Sequence, residues 1–415
     1  MPMSFNRRVG RCQGPGRTAI ASTPIDLAPT VGPSLRLQLL LATACGICVA
    51  NMYYAQPILG VIARDLSAST ASAAVVVTVS QLGYAAGLLF LVSVGDIVER
   101  RKLVSWILPV AVAAAIGVAL APSITVLKVA IAVLALCSVV AQILVPLAAD
   151  MSGEAIRGRV VGLVMTGLLL GILLSRTISG AVTEVAGWRA VYWMTAAVMS
   201  VLVIVLRSAL PASEPTQSLT YPRLLASVAT IFATEPQLRR RAAYGALTFA
   251  AFSIFWTTAA FELSGPPFHY SSGVIGLFGL AGLAGVIGAS AAGRLADRRF
   301  TVPASGAFLA AVALAFWLLS IGRHAVVAIV AGAVVLDLGV QGTHISNQSV
   351  IYRLQTGARS RINTAYMSCY FAGGAVGSAA ADIAWSAAGW TGVCVVGSLA
   401  GLAGLALWLQ ERLAN

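Results

Sequence analysis

Charge is scarce in this chain: Asp, Glu, Lys and Arg make up 10% of its 415 residues, where a soluble domain carries about a quarter. Hydrophobic residues reach 59% and the mean hydropathy is +0.89, which excludes a water-soluble enzyme. Histidine is scarcer still. His269, His324 and His344 stand far apart in sequence and give no support to a histidine metal centre. No GxxxxGK(S/T) phosphate loop occurs, which argues against ATP-driven pumping within this chain. Cys45 and Cys48 form a CxxC, but inside an apolar stretch with no second pair and no nearby histidine. They read as small packing residues rather than a zinc or redox site. With no credible nucleophile–base pair either, neither an enzyme nor a cofactor is expected.

What is abundant is apolar sequence in runs long enough to cross a bilayer, which takes about 20 residues as a helix. Twelve such spans are predicted, over residues 36–58, 71–94, 103–121, 124–148, 160–185, 190–209, 241–263, 272–293, 302–321, 325–349, 361–385 and 390–410. Basic residues sort with them. Of 27 Lys and Arg, 22 fall on one side, in the tails and in the linkers after the even-numbered spans. Arg64, Lys128, Arg189 and Arg323 fall on the other side, and Arg176 alone sits inside a span. Cytoplasmic loops carry this excess, so both termini are expected in the cytoplasm of a cell whose plasma membrane holds the protein, a bacterial-type inner membrane. The net charge of +13 then points to anionic lipid headgroups rather than nucleic acid.

The expected organisation is a disordered tail (1–34), a six-helix bundle (35–209), a cytoplasmic linker (210–240), a second six-helix bundle (241–410) and a short tail (411–415). Within the linker, residues 222–236 read as a short interfacial amphipathic helix. The halves are internally related. A shift of 202 residues places Arg157 and Arg159 on Arg359 and Arg361, Met165 on Met367, Gly171 on Gly373, and Gly187-Trp188 on Gly389-Trp390. Internal repeats with a site at their interface build many secondary transporters.

Two loops carry a family likeness. After span 2 the chain reads GDIVERRK, with Asp96, Arg100, Arg101 and Lys102; after span 8 it reads GRLADRR, with Gly293, Asp297 and Arg298. This pair, in the matching loops of a twelve-span pattern, resembles the major facilitator superfamily over residues 35–410. The resemblance implies an all-α membrane protein of two pseudo-symmetric six-helix bundles. Within the superfamily the chain looks most like the bacterial proton-coupled drug and metabolite efflux branch. Gly167 and Gly171 fit that branch's span 5 pattern, whereas Ile172 and Ser175-Arg176 depart from it. By this analogy Asp96, with Arg157 as partner, latches the halves on the cytoplasmic side, and Asp297 with Arg298 and Arg359 forms a second copy.

Charges inside a bilayer are costly and usually mark a pathway. In span 10, Asp337, Gln341, His344 and Gln348 follow one helical face and are expected to line a cavity; a helix–helix hydrogen-bond network is the alternative. Asp337 is the expected proton-coupling acid, with His344 as runner-up. Arg176 is either the anchor for an acidic substrate group or one half of a structural pair with Glu184 or Glu262. Asn51, Tyr54, Gln56, Gln81, Gln142, Trp256 and Tyr370 are further candidate cavity residues, with Trp256 and Tyr370 equally readable as core. The glycines at 276, 279, 282, 285 and 288 predict a close-packed face of span 8 against Gly167 and Gly171 of span 5. The expected activity is proton-coupled export of small amphipathic molecules by a monomer alternating between two accessible states. Proton-symport uptake of an organic anion, and a non-transporting sensor, are the alternatives.

Overall fold

The computed structural model of the chain describes residues 32–212, 220–297, 301–322, 325–354 and 358–413. Among them regular structure is entirely helical, and ten helices are long and apolar enough to cross a bilayer. The helix Leu35–Ala50 begins an eleventh crossing, carried on through turns and the short helices Gln56–Ile58 and Leu59–Asp65. Arg359–Leu413 contains two crossings, divided where Ala388 and Gly389 leave helical geometry. The count is therefore twelve, with boundaries close to those read from hydropathy.

Local chemistry sets the ends of these helices. Ser34, Ser69, Ser123 and Ser271 each accept a backbone N–H three residues on, satisfying a donor that the first turn leaves free. Spans 5 and 6 (Glu154–Ala186 and Trp188–Ala209) part at Gly187, with φ +80°. Spans 11 and 12 part at Gly389, with φ +57°. A side chain at either position is strained, so the shared Gly-Trp of the two halves is one hairpin device used twice. Each tryptophan then ties its turn down: Trp188 donates to Asp65 Oδ2 at 3.0 Å and Trp390 to the Leu319 carbonyl at 2.9 Å.

The two halves repeat a second feature. A Cβ on Gly171 of span 5 meets the Gly46 carbonyl of span 1 at 2.2 Å, and one on Gly373 of span 11 meets the Ala246 carbonyl of span 7 at 2.3 Å. Backbones touch at both places, as small residues permit. Gly167 likewise lies on Ala42. The span 8 stripe therefore does not rest on Gly167 and Gly171. Gly276 meets Gly180 and the Arg176 carbonyl of span 5, Gly279 meets Arg176 itself, and Gly285 and Gly288 meet Gln341 and Leu338 of span 10. The linker helix forms as expected over Tyr221–Thr234, burying Leu224, Val228 and Ile231 along one face.

Residues 1–31 of the N-terminal tail and Arg298 lie outside the described residues, as do the side chains of Asp297 and Arg359. The second copy of the loop motif is therefore represented by Gly293 alone, around which a Cβ would meet nothing within 4 Å.

Candidate functional site

Span 1 sets up the site by failing to stay helical. Pro57 has no N–H to give, and its ring clashes with the carbonyl four residues back; the regular helix stops at Ala50 and resumes as turns. This irregular stretch places Tyr53 and Gln56 against span 5. There Arg176, 1% exposed, donates from Nε to Gln56 Oε1 at 2.9 Å. Its guanidinium carbon lies 3.9 Å from the Trp256 ring centroid, 4.9 Å from Tyr53 and 5.4 Å from Phe252. A cation held over aromatic faces is stabilised by their negative π surfaces.

Asp337 of span 10 accepts a hydrogen bond from Trp256 Nε1 at 3.4 Å. One indole thus touches the arginine with its face and the aspartate with its edge. Arg176 and Asp337, with Gln341, share a small cavity of about 20 Å³, room for roughly one water. Among the described residues no carboxylate comes within ion-pairing distance of Arg176, and its Nη2 has no protein partner. The structural-pair alternatives fall away on geometry. Glu184 instead accepts from Gly273 N at 2.8 Å and Ser271 Oγ at 3.0 Å, and among the described residues no ion pair joins Glu262 to Arg176.

Span 8 makes room for both charges. Gly279 faces the Arg176 side chain, its would-be Cβ 2.7 Å from the arginine Cβ, and Gly282 faces Asp337 Oδ2 at 3.3 Å. The glycine periodicity is thus partly a floor under the charged pair.

Below this pair, toward the basic loops, a cavity of about 470 Å³ lies between the halves. Gln341, His344 and Gln348 line it, so the polar face of span 10 is a cavity face. Tyr53, Tyr84, Gln142 and Tyr370 supply other parts of the wall. His344 Nδ1 lies 3.0 Å from the Tyr366 hydroxyl, which accepts a hydrogen bond from Asn347 Nδ2. Tyr370 does both jobs proposed for it, lining the cavity while stacking on Phe249 at 4.1 Å.

Three candidate residues are elsewhere. Asn51 donates to Ser138 Oγ and Met199 Sδ inside the first bundle. Tyr54 points into a groove between spans 1 and 5, and its neighbour Tyr53 takes the place expected of it. Gln81 is buried without a protein partner and does not line the central cavity. Regular 3.6-residue counting assigns all of span 1 to one rotation, and the break after Ala50 invalidates it beyond that point.

Contacts bridge the halves at both faces. On the basic face Ser360, in the first turn of span 11, donates to Asp96 at 3.0 and 3.3 Å. Burial pushes the Asp96 carboxyl above its ordinary range, offset in part by the Ser360 hydroxyl and by Arg100. Arg157 does not serve as its partner: its Nε donates to the Ala149 carbonyl at the end of span 4. Arg100 pairs with Asp150 at 2.6 Å and Arg101 donates to the Arg207 carbonyl at the end of span 6, so both act within the first bundle. On the far face Glu184 of span 5 ties down the start of span 8.

Comparison with known proteins agrees with this architecture. Residues 39–378 match the family described as Major Facilitator Superfamily. The chain is 48% identical over 372 residues to the uncharacterized transporter YgaY of Escherichia coli O157:H7, covering 90% of this chain and 94% of that one. It is 35% identical over 367 residues to a Streptomyces coelicolor protein described as "Probable transporter SCO4007", covering 88% and 85%. Among solved structures, the nucleoside transporter NupG matches with TM-score 0.72 at 13% identity, over 91% of this chain and 99% of that one. A peptide transporter POT in complex with sulfate matches with TM-score 0.71 at 14% identity, over 90% and 93%.

Proposed function

The chain belongs to the Major Facilitator Superfamily of transporters, and we propose that it carries small amphipathic organic anions together with protons by alternating access. The observation that carries this reading is Arg176: a buried cation with an unpartnered Nη2, held on Trp256 beside Asp337. Arginine stays charged at any relevant pH, so it supplies a fixed anchor for a carboxylate or related group. The aromatic and apolar wall formed by Tyr53, Tyr370 and Phe371 suits the rest of an amphipathic molecule.

Electrostatics chooses the coupling. An ionised Asp337 is the nearest counter-charge to Arg176 and repels an incoming anion. A protonated Asp337 does neither. Anion and proton therefore favour each other's binding, and the coupling is reciprocal. Two ligands that bind together move together, which is symport, and with the basic face in the cytoplasm an inward proton gradient drives uptake. Export by exchange, expected from the efflux-branch resemblance, requires substrate and proton to compete. A cationic substrate at Asp337 meets that requirement, but Arg176 beside it opposes a second positive charge.

The test is reconstitution of the monomer-sized chain into proteoliposomes with an imposed pH gradient, screening amphipathic organic acids, neutral drugs and cations. Acid outside is expected to accelerate uptake of an organic acid in wild type. Arg176→Gln is expected to abolish it, and Asp337→Asn to leave exchange of the acid while removing its response to the gradient. Proton release on adding a cation, with no response to any acid, overturns symport in favour of exchange.

A further inference from the structure

At the foot of span 7 (Pro236–Ser264), on the basic face, a crevice of about 390 Å³ opens between that span and span 12. Arg239, Arg240, Ala243, Tyr244, Leu407, Gln410 and Glu411 line it. Its acidic member is committed inward. Tyr244 donates to Glu411 Oε2 at 2.5 Å, and Arg241, 1% exposed, reaches Glu411 Oε1 at 3.4 Å and Ser305 Oγ at 3.4 Å. That pair neutralises itself. The mouth therefore keeps the positive charge of Arg239 and Arg240.

The two arginines differ. Arg239 donates to the carbonyls of Phe232 and Ala233, closing the end of the linker helix Tyr221–Thr234. Arg240 is exposed and makes no hydrogen bond or ion pair among the described residues. An arginine fork with free donors suits phosphate oxygens. Ala243 and Leu407 form the apolar wall of the crevice, and Leu402, Leu407 and Leu409 remain exposed on span 12. The crevice is thus cationic at the bilayer surface and apolar where acyl chains begin. Basic pockets between membrane helices on the cytoplasmic side have this chemistry for anionic headgroups.

We propose that this crevice holds the phosphate headgroup of an anionic phospholipid, with Arg240 as its principal ligand and Gln410 as a flanking donor. The occupied crevice braces the linker helix against spans 7 and 12. A diester phosphate with two acyl chains, rather than a free anion, fits a site whose mouth opens on the lipid-facing surface.

The purified full chain is assayed by native mass spectrometry for retained lipid, with phosphatidylglycerol and phosphatidylcholine of matched acyl chains. Phosphatidylglycerol is expected to be retained preferentially. Arg240→Gln is expected to lower its retention about fivefold, the equivalent of ~1 kcal/mol for one basic side chain at the surface. Arg240→Lys is expected to keep most of it, and Arg294→Gln, an exposed basic-face residue elsewhere, to change nothing. An unchanged thermal midpoint in Arg240→Gln confirms that folding is intact. Equal retention in Arg240→Gln and Arg294→Gln overturns the proposal. So does displacement of the lipid by inorganic phosphate at equal concentration, which marks a free-anion site instead.

Discussion

Arg176 and Asp337 come from different halves of the protein and meet through Trp256, which lies 3.9 Å under the guanidinium carbon and donates to the carboxylate at 3.4 Å. The indole's two contacts are separable. Trp256→Phe keeps a ring under Arg176 and removes the N–H aimed at Asp337. Trp256→Ala removes both, and a desolvated cation–π contact is worth about 2 kcal/mol. Substrate KM is therefore expected to rise roughly tenfold or more in Trp256→Ala, while Trp256→Phe keeps KM near wild type and displaces the pH profile. Initial rates over a pH series in proteoliposomes distinguish the two; equal KM in both variants removes the indole face from recognition.

The same pair explains why one glycine matters and another does not. An alanine methyl at Gly279 falls 2.7 Å from the Arg176 Cβ, closer than carbon atoms approach without movement. Overpacking of this kind costs about 1–3 kcal/mol. At Gly293 a methyl meets nothing within 4 Å, and replacing a helical glycine there with alanine gains roughly 0.5–1 kcal/mol. Gly279→Ala is expected to lower the thermal midpoint in detergent and to abolish transport, with Gly293→Ala stable and active. Thermal scans and uptake on the same preparations check both.

Much of this is legible in the sequence. Charge sorting gives the spans, the offset of 202 residues finds the Gly187 and Gly389 hairpins, and the polar face of span 10 finds one wall of the cavity. Each is a regular signal in a regular helix. The two misplacements in span 1 share a cause. Asn51 and Tyr54 lie where Pro57 disrupts the helix, so a uniform turn angle sends them to the wrong face. The Ser360 contact with Asp96 escapes because a serine in a basic loop carries no pattern; only the folded arrangement sets it beside a carboxylate 264 residues away in sequence. The family analogy offers Arg157 as that partner, and short-range geometry directs its Nε to the Ala149 carbonyl instead.

Asp96 gives the basic-face contact a pH dependence whose sign follows from its surroundings. Burial in the latched state raises its carboxyl above the exposed value. The charged form therefore opposes latching at pH above the latched value, and acidification through that value relieves the opposition. The latched fraction is expected to grow as pH falls, and Asp96→Asn to flatten the response. Spin labels at the exposed positions Arg157 and Arg353 report the separation of the halves at this face. A latched fraction that rises with pH contradicts the assignment.

Glu184 makes the corresponding contact on the far face. Its carboxylate accepts from the Gly273 N–H and the Ser271 hydroxyl, at the first turn of span 8. A negative charge there satisfies a free donor and meets the positive end of the helix. Span 5 belongs to the first half and span 8 to the second, so under the alternating access proposed above this contact is expected only while the far face is closed and breaks as that face opens. Removing it destabilises one state of the cycle and leaves the opened state untouched. Losing such a cap costs about 1 kcal/mol, so Glu184→Ala is expected to shift the closed-to-open ratio of the far face roughly fivefold toward open. Glu184→Gln retains an acceptor and is expected to shift it less. Thiol labelling of a single cysteine placed at the exposed position Val274, beside the contact, measures the ratio directly. Labelling that is slower in Glu184→Ala than in wild type places the contact in the open state instead. A rate unchanged in both variants means that the glycine contact between Gly180 and Gly276 holds this face closed without help.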